Sequence, residues 1–347
     1  INNYLTYIWC PGDGTPVKNI KKIYPGEYLI VKNGLINKKK LWYKNSYLKQ
    51  KKSYQNKLNY SEGDYILNNK KFLKKAVFKQ LVSDVPLGCF LSGGLDSSSI
   101  VAFAREKIPD LKCFTIKNKD SLQEDGFVED FIFAEKVAKH LDVELEAIEV
   151  DKNMLINNIE NMVYTMDEPI SDPASINVQL ISRLAKQSGI KVLLSGTGGD
   201  DLFTGYRRHY ALQNEKYWSF LPTTVRKTFS WGSSFLKTRI PLERRIKRVL
   251  SAANFTQDER IVNYFRWNKP QDLINMYNSD FLEFLRSSSS SDPLINHLKL
   301  VPNEWSSMER MLSLEQRFFL IDHNLLYTDK MSMSEGVEVR VPFLDLD

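Results

Sequence analysis

The apolar positions change their period along the chain. From Leu87 to Leu91 they run together between Pro86 and Ser92-Gly93-Gly94, and so short an apolar run predicts a buried strand. From Ser98 to Glu106, Ile100, Val101 and Phe103 fall near one face of a helix. The alternation then repeats. Lys112 to Ile116 reads as a strand. Glu129 to His140 reads as a helix, with Phe133, Val137 and His140 or Leu141 inward. Leu145 to Val150 is a strand, Met154 to Met166 and Val178 to Lys186 are helices, and Val192 to Leu194 is a buried strand. A further helix is predicted from about residue 65 to Val82, with Leu67, Phe72, Leu73, Val77 and Leu81 near helical spacing. Strands alternating with helices predict an α/β fold, a doubly wound parallel sheet with added helices. In such sheets the ligand crevice lies outside the carboxyl ends of the strands.

The flanks read differently. Residues 1 to 43 look like strands and turns, with Asn33-Gly34 between Tyr28-Leu29-Ile30-Val31 and Leu35-Ile36 as a hairpin signal. Residues 44 to 62 are polar and lysine-rich, so a linker is expected. From 207 to 320, Leu212, Trp218, Phe220, Phe229, Ile246, Val249 and Leu250 indicate helices, and Ser287 to Ser291 a flexible surface loop.

Charge changes this picture little. The net charge of +6 comes largely from lysines between Lys18 and Lys79. These read as a solvated surface rather than a nucleic-acid patch, since no nucleic-acid module accompanies them. Arg244-Arg245 and Lys247-Arg248 read as a solvated helix face. Cys10, Cys89 and Cys113 form no Cys-x-x-Cys pair, and the histidines His140, His209, His297 and His323 lack metal-ligand spacing. No apolar run is long enough for a membrane span and no signal peptide is visible. A cytoplasmic protein is the expectation.

Two strand-to-helix turns carry the chemistry. In Phe90-Leu91-Ser92-Gly93-Gly94-Leu95-Asp96-Ser97-Ser98, glycines, hydroxyls and one carboxylate gather where a helix begins. Backbone N–H groups without helical partners point at such a place, and the helix dipole favours an anion there. No Gly-Lys-Ser/Thr ending is present, so this is not a Walker loop. The plainer alternative is a serine-rich turn capped by Asp96. Val192-Leu193-Leu194-Ser195-Gly196-Thr197-Gly198-Gly199-Asp200-Asp201 forms a second glycine-rich acidic turn after a strand. Asp200 and Asp201 suit Mg²⁺ or a role in orienting the loop. First-turn acids capping a helix are the alternative.

The Ser-Gly-Gly-x-Asp-Ser pattern resembles the loop of the ATP pyrophosphatase superfamily. With Leu193 to Tyr206, with Asp329-Lys330-Met331-Ser332-Met333 through Glu338-Val339-Arg340-Val341-Pro342-Phe343-Leu344-Asp345, and with the weaker block Asp167-Glu168-Pro169-Ile170-Ser171-Asp172-Pro173, the chain resembles the synthetase half of glutamine-dependent asparagine synthetases. The resemblance implies ATP and Mg²⁺ as cofactors. Leu91, Ile116, Ser195 and Gly196 would line the adenine and ribose. Ser92, Gly93, Gly94, Asp96, Ser97 and Ser98 would bind pyrophosphate and metal, with Asp200 as a further metal ligand. Lys330 would stabilise charge on the α-phosphoryl group, and Asp172 with its neighbours would shape the acceptor pocket. A surface lysine at a helix end is the alternative for Lys330.

The implied reaction adenylates the β-carboxylate of aspartate and releases pyrophosphate. Ammonia, derived from glutamine in the whole protein, then displaces AMP. Thr197 departs from the family, which often has an acid there to take the proton of the attacking ammonia. A related amidotransferase with another acceptor, such as a sugar uronate, is therefore the second expectation, and an ATP-binding module without catalysis the third. Tyr4-Leu5-Thr6-Tyr7 and Pro25-Gly26-Glu27-Tyr28-Leu29 resemble the end of the family's glutaminase domain. Residues 1–43 are thus expected to be a β-rich remnant of that domain, 44–62 a linker, and 63–347 a synthetase domain cut short at its C-terminus. Cys10 lies inside a strand-turn segment and is not expected to be the glutaminase nucleophile. The expected partners are aspartate and ammonia, with a second copy of the chain as the one macromolecule.

Overall fold

The described strands form two separate sheets. The computed structural model describes residues 1–43, 61–119, 130–232, 247, 250 and 252–346. Residues 44–60 of the linker expected over 44–62, the Arg244, Arg245 and Arg248 cluster, Ile246 and Val249 lie outside the described residues, as does the side chain of Phe229. Near the start, α1 (Asn2–Tyr7) precedes an antiparallel pair, β1 (Glu27–Lys32) and β2 (Leu35–Leu41). Asn33 and Gly34 join them at φ 52° and 75°, the left-handed turn that an Asn-Gly hairpin adopts.

A helix, α2 (Glu62–Gln80), then leads to β3 (Leu87–Phe90), α3 (Leu95–Arg105), β4 (Lys112–Asn118), α4 (Asp130–Leu141) and β5 (Glu144–Val150). Two helices, α5 (Lys152–Thr165) and α6 (Ala174–Gln187), precede β6 (Val192–Leu194), and β7 (Glu338–Arg340) completes the set. The five later strands form one sheet in the order β5-β4-β3-β6-β7, and every neighbouring pair is parallel. This is the expected doubly wound α/β sheet.

Both faces of the sheet are covered, which explains why its strands read as apolar runs rather than alternating ones. Cys89, Cys113, Val192 and Leu194 pack with Val77, Ile100, Val101, Ala104, Ala134 and Ala138 on one side. Phe114 and Leu193 turn to the other side, against Ala185, Ile190 and Val337. Adjacent residues of one strand thus serve opposite cores, as the two-residue period of a strand requires. Leu193 is fully buried, and truncating it to alanine would cost about 2–5 kcal/mol.

The chain divides into two compact units. One comprises Ile1–Gln55 and Asp201–Asp322, the other Asn56–Asp200 and His323–Asp347. The second unit holds the five-stranded sheet. Among its described residues the first holds the hairpin and several helices, including Gln257–Asn263, Asp292–Leu298 and Ser307–Leu314. In it Arg208 donates two hydrogen bonds to the buried Glu315 at 2.6 and 2.5 Å, with its guanidinium over the rings of Tyr206 and Phe319.

Several local expectations change. Residues 2–7 form a helix rather than a strand, and Tyr7 is buried with the nearby Trp9, whose ring meets Phe319 at 5.9 Å. Tertiary packing here outweighs a weak local pattern. α2 starts at Glu62 because Ser61 and Asp64 form a capping box. It buries only Ala76 and Val77, near its C-terminal end, and Leu67 and Phe72 are exposed. Phe133 is exposed too, while Ala134 and Ala138 form the buried stripe of α4. Ser290 and Ser291 are buried rather than part of a free loop, and Ser291 accepts a 2.6 Å hydrogen bond from Arg266.

Candidate active site

The winding of the sheet reverses between β3 and β6. From β3 the chain moves outward to β4 and β5, then returns to place β6 on the other side of β3. Such a reversal is where sheets of this kind place their ligand crevice, at the loops leaving the carboxyl ends of β3 and β6. These two loops carry Ser92–Ser98 and Ser195–Asp200.

The first loop is tightly built. Leu91 is buried, and its N–H bonds to the Phe114 carbonyl at 3.0 Å, extending the sheet by one residue. Gly93 takes φ 78°, and a Cβ there would lie 2.4 Å from the Ala134 nitrogen of α4. Only glycine meets both demands. Gly94 caps α3 in an extended conformation, so Asp96, Ser97 and Ser98 stand in the first helical turn, three residues earlier than the apolar pattern indicates. The Ser97 hydroxyl receives the Ser92 N–H at 3.2 Å and lies 3.0 Å from the Ser92 hydroxyl. The Ser98 hydroxyl is buried without a hydrogen-bond partner. Such an atom calls for a ligand or water.

The second loop locks onto the first. The Ser195 N–H bonds to the Arg340 carbonyl of β7 at 2.8 Å, and its hydroxyl lies 2.7 Å from that of Thr197. A Cβ on Gly196 would sit 2.7 Å from the Ser97 nitrogen, and one on Gly199 would sit 2.2 Å from Asp96 Oδ2. Neither glycine is there for its torsion angle. Each is there because the two loops touch. This contact brings Asp96 against the start of α7 (Gly199–Phe203), where its carboxylate accepts the Asp200 N–H.

The electrostatics follow from that crowding. Burial pushes the Asp96 carboxyl up to about 6, and the Asp200 charge adds to the shift, while the Asp200 N–H opposes it. Two acids facing each other in a half-buried cleft suit a cation. Among the described residues no group of three or more His, Cys, Asp or Glu side chains could hold a metal. One or two carboxylates, completed by phosphate oxygens and water, suit Mg²⁺. Asp201, named with Asp200 in the sequence, is fully buried and accepts a 3.0 Å hydrogen bond from the Tyr206 hydroxyl.

The remaining residues belong to other elements. Ile116 is half-buried in the carboxyl half of β4, next to β3. Lys330 lies in the helix Leu326–Met333, and its ammonium is 2.5 Å from Asp167 Oδ2. Asp172 Oδ2 lies 3.2 Å from His323 Nε2, and its other oxygen accepts the Ala174 N–H at the start of α6. Burial pushes the Asp172 carboxyl up, but His323 and the Ala174 N–H outweigh it and hold the group below its usual range. Sequence reasoning missed Asp167 and His323 as partners. Asp167 stands in a block that the sequence does mark; His323 carries no local signal. Among the described residues, no helix is long and apolar enough to cross a membrane.

A sequence profile described as asparagine synthase matches residues 69–347. The glutamine-hydrolyzing asparagine synthetase 1 of Bacillus subtilis is 29% identical over 99% of this chain and 51% of its own length. A putative asparagine synthetase of Mycobacterium tuberculosis is 29% identical over 79% of this chain and 40% of its own. Amidase chyE of Penicillium rubens is 24% identical over 97% of this chain and 52% of its own. The chain spans about half the length of the curated relatives it matches.

Proposed function

The chain belongs to the asparagine synthase family, and we propose that its parallel-sheet unit is an ATP-dependent carbon–nitrogen ligase that activates a carboxylate for amide formation. The observation that carries this reading is the interlock of the Ser92–Ser98 and Ser195–Asp200 loops at the reversal of the sheet.

The first turn of α3 offers N–H groups and the Ser92, Ser97 and Ser98 hydroxyls to the β- and γ-phosphates. Asp96 and Asp200 would hold Mg²⁺, which neutralises phosphate charge when bound. With pyrophosphate gripped as the leaving group, an oxygen of the acceptor carboxylate bonds to the α-phosphorus and the bond to the β-phosphate bridge breaks. Ammonia then bonds to the acyl carbon, AMP leaves with the acyl oxygen, and one proton is released. Lys330 offers a cation to the charge that develops on the α-phosphoryl group.

Aspartate is the proposed acceptor, and asparagine the product, in line with the asparagine synthetases among the relatives. In the whole protein the ammonia would come from glutamine. Thr197 favours a second reading, in which another small acid such as a sugar uronate is activated. Its hydroxyl shares a hydrogen bond with Ser195, and a hydroxyl cannot act as a base at neutral pH.

The test is release of AMP and pyrophosphate from MgATP with ammonium and a panel of acids, with Asp96→Asn as control. Aspartate-dependent AMP that disappears in the control is the expected result. Stimulation by a different acid alone would select the second reading. ADP and phosphate as products would refute both.

A further inference from the structure

We infer that Asp167 is a positioning residue that holds the Lys330 ammonium in place for the adenylation step. The inference rests on the ligase reading above and adds to it a residue outside both loops.

A lysine is a point charge on a flexible four-carbon stem. It stabilises a developing charge well only if its position is fixed before the reaction. Lys330 has a fixing partner, the Asp167 carboxylate at 2.5 Å. The pair is not there to neutralise a buried charge, because the side chains are 35% and 65% exposed. Exposed ion pairs contribute little to stability, so fold stability gives a weak reason for this one.

Asp167 is itself anchored. Five residues on, Asp172 pairs with His323 at 3.2 Å, and His323 precedes Lys330 by seven residues, about two helical turns. The segment 167–172 is thus tied at both ends to one helical run, by Lys330 and by the buried His323. The His323 end is further fixed by the 2.9 Å bond from the Ala174 N–H to Asp172. Asp167 therefore presents its carboxylate from a held segment. Its hydrogen bond, with a smaller contribution from the Asp329 charge, also pushes the Lys330 ammonium above its ordinary range and keeps it protonated.

The test is ATP–pyrophosphate exchange by the full chain without ammonia, with L-aspartate tried first and then the acid panel. For Asp167→Asn, kcat of exchange should fall about tenfold while KM for ATP changes less than about threefold, since only transition-state charge stabilisation is loosened. The melting temperature should stay put, the alkaline limb of the rate should move to lower pH, and Asp167→Glu should restore most of the rate. On a Lys330→Gln background, Asp167→Asn should add nothing. An unchanged exchange rate would overturn the inference, and so would an equal further loss on that background, because Asp167 would then act independently of Lys330. Wild-type protein that exchanges with none of the acids would instead bring down the ligase reading, and the role of Asp167 with it.

Discussion

Asp96→Asn should make the ligand-free protein more stable while removing its activity. The Asp96 carboxyl is pushed up to about 6, first by burial and then by the Asp200 charge. Its ionised form is therefore disfavoured in the folded state relative to the unfolded chain, where an aspartate titrates near ~3.9. The shift of about two units corresponds to roughly 3 kcal/mol at most, and solvent screening of this half-buried group reduces that to about 1–2 kcal/mol. Asparagine removes the charge and keeps an oxygen that can accept the Asp200 N–H. The sign follows from linkage. The destabilisation is complete above pH 6, falls to about half near pH 5, and vanishes below about pH 4, where both states are protonated. Thermal melts without Mg²⁺ should show the variant higher by roughly 2–5 °C at pH 7.5, with the gap closing toward pH 4. Mg²⁺ with a non-hydrolysable ATP analogue should raise the wild type more than the variant. A variant that melts at or below the wild type at pH 7.5, or a gap that ignores pH, would show that Asp96 is not under this strain.

Gly199→Ala should raise the Mg²⁺ concentration needed for half-maximal stabilisation by nucleotide, because its Cβ would fall 2.2 Å from Asp96 Oδ2; an unchanged Mg²⁺ titration in thermal-shift assays would contradict the interlock. Thr197→Val should keep ATP-dependent amide formation within about threefold, since a side chain that cannot take a proton is not the base; a hundredfold loss would restore Thr197 to the chemistry. Asp172→Asn should cost stability at neutral pH, because a carboxyl held below its usual range stabilises the fold above that range and loses the effect as the pH falls through it. The wild-type and Asp172→Asn melting curves should therefore converge in acid, and parallel curves down to pH 2 would remove the His323 pair from the account.

The sheet was legible because its strands are buried on both faces. Leu87 to Phe90 and Val192 to Leu194 are apolar throughout, and each is followed by glycines and acids that no core would use. The two candidate-site loops were legible for the same reason, since Gly93 and Asp96 sit where a regular strand-to-helix turn has no need of them. What the sequence hid is contact between segments far apart in the chain. Nothing local to Gly199 reveals that Asp96 occupies the space of its missing side chain. Nothing local to Lys330 reveals Asp167, which lies far upstream of it. At these two loops, departures from local preference coincide with crowded charges: Gly93 at positive φ, Gly196 and Gly199 under close approach, and Asp96 beside Asp200. A chain selected for stability alone would relax each of them. Close approach of two loops and crowded carboxylates coincide at one end of the sheet, and that coincidence supports the proposal of a cation and an anionic ligand in this crevice.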